Sequence, residues 1–124
     1  MRIISFAEKW PHKKNFLPPV KGERFSTFRF PRADSDRGRD WRQDEEVQIV
    51  IQSRSPNREY MGDALIVAKT PMIVSQISHL EAVADGFPGG YVQMFDWLMK
   101  AHRVQYDELE IKPINKLVIE WIAR

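Results

Sequence analysis

The segment KGERFSTFRFPR, residues 21–32, sets Lys21, Arg24, Arg29 and Arg32 among three phenylalanines, with the hydroxyls of Ser26 and Thr27 between the central arginines. Guanidinium groups fork onto phosphate or carboxylate oxygens, a threonine hydroxyl can hydrogen-bond a base edge, and aromatic rings offer stacking platforms. Trp41, a little further on, adds another ring. Each of these residue types also has a plainer duty. Phe28 and Phe30 read first as core, Arg29 as the partner of a surface carboxylate, and Thr27 as a good strand former. Arg37, Arg39 and Arg42 stand near Asp34, Asp36, Asp40 and Asp44, which reads as a solvated loop of local ion pairs.

Charge is distributed unevenly around this segment. Residues 1–43 hold eleven Lys/Arg against five Asp/Glu, whereas residues 44–124 hold eight against twelve. A cationic third in a chain of formal net charge +2 suits an anionic partner, nucleic acid above all. Other chemistry is closed off. With no cysteine there is no disulfide framework, thiolate zinc site or thiol nucleophile. His12, His79 and His102 lack the spacing of a metal site, and no phosphate-cradling glycine loop or serine elbow occurs. Neither metal nor cofactor is expected. No run of eighteen apolar residues and no signal-like segment is present, so no membrane partner and a cytoplasmic location are expected.

The elements that must hold these residues follow from periodicity, and 124 residues fit a single domain, 1–124. RIISF predicts a short first strand, and the Pro-bearing stretch from Glu8 to Pro19 a loop. RFSTFRF alternates with period two and predicts a second strand bounded by Gly22 and Pro31. EVQIVIQSRS, with Val47, Ile49 and Ile51 on one face, pairs as a hairpin with REYMGDALIVAKT, where Gly62 suggests a bulge or a close backbone approach. Ser78 and Glu81 have the form of a capping box, and Gly86 can stop the short helix between them. A second helix runs from about Gly90 to His102, with Val92, Phe95, Leu98 and Met99 on one face. His102 sits where a helix C-terminus favours a cation. NKLVIEWIA is the last strand, and Trp97 and Trp121 read as core. Four strands, helices and a final strand predict an α+β fold, mainly antiparallel, and short strands favour closure into a small barrel.

Gly22, Arg24, Thr27 and Arg29 in the pattern G-x-R-x-x-T-x-R, the strand after WRQDEEV, EAVADGF ahead of a helix and NKLVIEWI at the end together resemble the ASCH (activating signal cointegrator homology) family of PUA-like proteins. The resemblance covers most of the chain. It implies a small β-barrel flanked by two or three helices, a cleft beside the barrel, and a link to RNA or modified nucleosides. Members include an N4-acetylcytidine amidohydrolase, and ribonuclease activity is attributed to others. The amidohydrolase lysine, threonine and glutamate fall on Arg24, Thr27 and Asp85. Arg24 departs from that pattern, because a guanidinium can steady an oxyanion but cannot act as a base. Asp85 could take the base role, or serve only as helix punctuation beside Gly86.

Three functions are compatible with these residues. The first is an RNA- or modified-nucleoside-binding module whose cleft is built from Arg24, Thr27, Arg29, Arg32, Trp41 and Asp85. The second is a hydrolase of N4-acylated cytidine, or of RNA, with Thr27, Asp85 and Arg24 as its catalytic groups. The third is a protein-interaction module docking through the barrel and the Met- and aromatic-rich GGYVQMFDWLMKAH helix. The sequence does not fix an oligomeric state.

Overall fold

The computed structural model describes residues 2–6, 21–31 and 40–123. Arg32, His12, Arg37, Arg39 and the Glu8–Pro19 stretch lie outside the described residues. Arg2–Phe6 (β1), Arg24–Arg29 (β2), Glu46–Ile51 (β3), Glu59–Ile73 (β4) and Pro113–Ala123 (β5) form one sheet in the order β1-β3-β4-β5-β2. Neighbours are antiparallel except β1 and β3, which run parallel. His79–Ala84 (α1), Tyr91–His102 (α2) and Tyr106–Glu110 (α3) come between β4 and β5, so the fold is α+β as expected. Among the described residues no helix is long and apolar enough to cross a membrane.

Period-two patterning explains the strands. Val47, Ile49 and Ile51 are buried, and Val50 is buried as well, so β3 is covered on both faces. The β3–β4 hairpin forms, and its register steps from Ile49↔Gly62 to Val50↔Tyr60. Met61 is the extra residue, placing the bulge beside Gly62. Two more register shifts interrupt β4 against β5, at Asp63/Ala64 and Ile66/Ala68. Bulges bend a strand and raise its twist, which curls a sheet.

The curl brings the two edge strands together through side chains. Arg29 Nη1 on β2 donates to the Ser5 carbonyl on β1 at 2.8 Å. The Arg29 guanidinium lies 4.4 Å from the centre of the Phe6 ring, and that ring lies 6.4 Å from Phe25. No backbone ladder joins β1 to β2. The sheet is therefore not closed into a barrel: Phe6, Phe25 and Arg29 stand where the two edges meet.

The helices cover one outer side of the sheet. Ser78 accepts from the Glu81 amide and Glu81 accepts from the Ser78 amide, completing the capping box of α1. Gly86, at φ 97°, adopts the left-handed conformation that only glycine takes cheaply. Its amide bonds Val83, and that of Phe87 bonds Ala82, a Schellman stop to α1. Lys116 on β5 grips Glu81 at 2.9 Å and ties α1 to the outer face. On α2 the buried stripe is Met94, Phe95 and Leu98 with Tyr91 packed alongside, whereas Val92 is 77% exposed. The stripe runs 91, 94, 95, 98, the i, i+3, i+4, i+7 positions of one helical face, and Val92 lies off it.

Candidate functional site

Alternation divides the residues of β2 between two environments. Phe25, Thr27 and Arg29 pair in register with Ile119, Leu117 and Asn115 of β5 and share its inner face. Arg24, Ser26 and Phe28 take the opposite face, with Phe28 buried. Arg24 Nε meets Glu120 Oε1 at 3.1 Å with its side chain 61% exposed, so Arg24 is separated from Thr27 by the strand itself. Residues three apart on a strand cannot share a face.

Asp85 reaches the same place from the other direction. It is the last residue of the α1 stop, and buried Phe87 anchors the turn that follows. Its carboxyl faces the Thr27 hydroxyl, the Arg29 guanidinium and the Phe28 amide. That amide points away from β5, toward the side of β2 that has no partner strand. Asp85 thus covers a stretch of bare strand edge, and both Asp85 and Thr27 have no solvent exposure. Helix punctuation and contact with Thr27 are one and the same placement.

Burial sets the electrostatics of this cluster. It pushes Asp85 up to about 8, although the Thr27 hydroxyl, Arg29 and the Phe28 amide each favour the ionised form. Burial also lowers Arg29 to about 10, opposed by its attraction to Asp85. Near neutral pH the cluster therefore holds a guanidinium beside a largely protonated carboxyl. Such a carboxyl can donate a hydrogen bond, and it becomes a base as pH rises through its pKa.

A cleft of about 360 Å³ opens just beyond the end of β2, lined by Phe30, Pro31, His102, Val104, Lys112 and Pro113, with Thr27, Arg29 and Asp85 outside its lining. Phe30 follows Arg29 directly and meets His102 edge to face at 4.6 Å. His102 is held below its usual pKa by burial, then by the charges of Lys112 and Arg29. The helix terminus favours an imidazolium, but burial and the two cations outweigh it. Lys112 had no signal in the sequence beyond a position just ahead of β5. Among the described residues no group of three His, Asp or Glu converges as a metal site.

Two other expectations change. Trp41 is buried in the core and offers no exposed ring for stacking. Asp40 has partners well beyond its own loop. Its Oδ2 accepts from Lys69 Nζ and from Asn115 Nδ2, both at 3.1 Å, and its carbonyl accepts from Arg2. Asn115, 3% exposed, is the one polar residue on the inner face of β5 between Asn115 and Trp121. An asparagine interrupting an apolar alternation was the available sign of this second network. No family model, curated protein or solved structure matches the chain.

Proposed function

We propose that the protein is an ASCH-type, PUA-like module that binds RNA or a modified nucleoside, with the ligand in the Phe30–Lys112 cleft and buried Thr27 and Asp85 behind it, with Arg29, as support for β2. The observation that carries this reading is the cleft itself, which falls in the size range of small-molecule sites, about 300 to 1,000 Å³. Phe30 supplies a ring and Lys112 a cation, the two recognition elements of single-stranded nucleic acid. The cationic first third of the sequence agrees with an anionic partner. Arg24 and Trp41 have no part in this version of the site, and a cytoplasmic location goes with it. The side-chain approach of β1 to β2 is what supports a PUA-like curl rather than an open sheet.

Titration with short single-stranded RNA at stepped salt concentrations tests the proposal. Affinity is expected to fall with salt, and Lys112→Gln to flatten the log–log slope by roughly one unit if Lys112 meets a phosphate. Absence of binding at low salt would remove the reading.

One observation favours hydrolysis of an N4-acylated cytidine as a second reading: a carboxyl of raised pKa faces a threonine hydroxyl. In that reaction, which requires the two fully buried groups to open to the cleft, Thr27 Oγ1 attacks the acyl carbon while ionised Asp85 takes its proton. The C–N bond breaks, the proton passes to the departing cytidine amine, and water releases the acyl group from Thr27. Turnover of N4-acetylcytidine by the wild type but not by Thr27→Ala, rising with pH through about 8, is the expected signature. No turnover leaves the cleft as a binding site.

A further inference from the structure

The cleft has a polarity of its own. Its apolar wall is Phe30, Val104 and the two prolines, and its polar wall is His102 and Lys112. The charges that act on His102 are both cationic, Lys112 from the residue before β5 and Arg29 from β2. Among the described residues, His102 and Lys112 thus line the cleft with no carboxylate paired to Lys112, a setting that favours an arriving anion. An arriving anion would offset the repulsion, let the imidazole take up a proton and gain a charge-assisted hydrogen bond from it.

We infer that this cleft reads a phosphate attached to a planar ring, the ring lying against Phe30 and Val104 and the phosphate meeting Lys112 and His102. A carboxylate carries a single charge and suits Lys112 alone, whereas a phosphate of charge near −2 engages both groups. This inference rests on the nucleic-acid reading and narrows it: the ligand is a nucleotide or a phosphorylated RNA end, not a free nucleoside.

The test follows the His102 ring protons by NMR, assigned with His102→Gln, during titrations with cytidine 5′-monophosphate, cytidine and inorganic phosphate. Cytidine monophosphate is expected to shift the His102 signals and raise the pH at which they titrate. Cytidine is expected to bind at least tenfold more weakly, and inorganic phosphate more weakly than the nucleotide. Lys112→Gln should weaken the nucleotide about tenfold and leave cytidine unchanged. Equal effects of cytidine and its monophosphate would show that no phosphate is read, and equal effects of phosphate and nucleotide that no ring is read. Either overturns the inference. RNA binding with silent His102 signals defeats it while sparing the broader reading, and nucleotide binding at His102 without any RNA binding does the reverse.

Discussion

The β4–β5 ladder and the junction between β1 and β2 solve one problem in opposite ways. Between β4 and β5, ten registered pairs run from Asp63↔Ala123 to Ile73↔Pro113, and the backbone satisfies itself. The inner face there can be filled by Ile66, Leu117 and Ile119. Between β1 and β2 no ladder forms, and side chains take over: Arg29 bonds the Ser5 carbonyl and Asp85 faces the Phe28 amide. Backbone polar groups must find partners wherever they are buried. Where strands do not supply them, ionisable side chains are drawn inside, and their titration becomes open to use. The desolvated ionisable groups Arg29 and Asp85 sit where the sheet stops short.

Breaking the junction should cost more than an equal change on the outer face of the same strand. Arg29→Met is expected to have the largest effect, about 1 to 3 kcal/mol of stability, because it takes the guanidinium donor from the Ser5 carbonyl and the cation from beside Asp85. Urea unfolding at pH 7 measures it, and a loss below about 1 kcal/mol would mean that Arg29 does not join the two edge strands in solution.

Asp85 sharpens the contrast through pH. An unfolded aspartate gives up its proton near pH 4, whereas folded Asp85 keeps it to about 8, so between these values the native state binds the extra proton. The associated stability is fully present below about pH 4 and is lost as pH rises to about 8, at up to about 1.4 kcal/mol per unit. Asp85→Asn should remove that slope. Thermal unfolding of both proteins from pH 4 to 9 is decisive, and parallel curves would count against the raised pKa.

Smaller effects are expected further out. Ser78→Ala removes the cap of the helix that carries Asp85 and should cost about 1 kcal/mol, read from the urea midpoint. Arg24→Ala breaks only the exposed contact to Glu120, worth about 0 to 1 kcal/mol, and should leave ligand affinity nearly unchanged. A strong loss of binding in Arg24→Ala would place that guanidinium at the ligand after all.

Much of the scaffold could be read locally. The alternation in RFSTFRF gives β2, the Ser78/Glu81 box gives the start of α1 and Gly86 its end, all through interactions within a few residues. Where local reading failed, a distant partner decided. Val92 scanned as part of an apolar face, but α2 turned its Tyr91–Met94–Phe95–Leu98 stripe inward. The reach of Asp40 to Lys69 and Asn115, far along the chain, had no sign among its own sequence neighbours.

The sequence alone determined that Thr27 and Arg29 share a face, because strand period is a local property of the backbone. That same period sets Arg24 opposite them, although the spacing of the family motif puts it in the cleft. The sequence also determined that a turn follows Asp85. Tertiary structure alone decided that this turn meets β2, that the sheet curls without closing, and that His102 and Lys112 flank the same cleft. Those placements depend on how bulged strands curve and how helices pack over them. The charge state of Asp85 follows for the same reason, since a carboxylate's pKa answers to the water and charges around it and not to its neighbours in the chain.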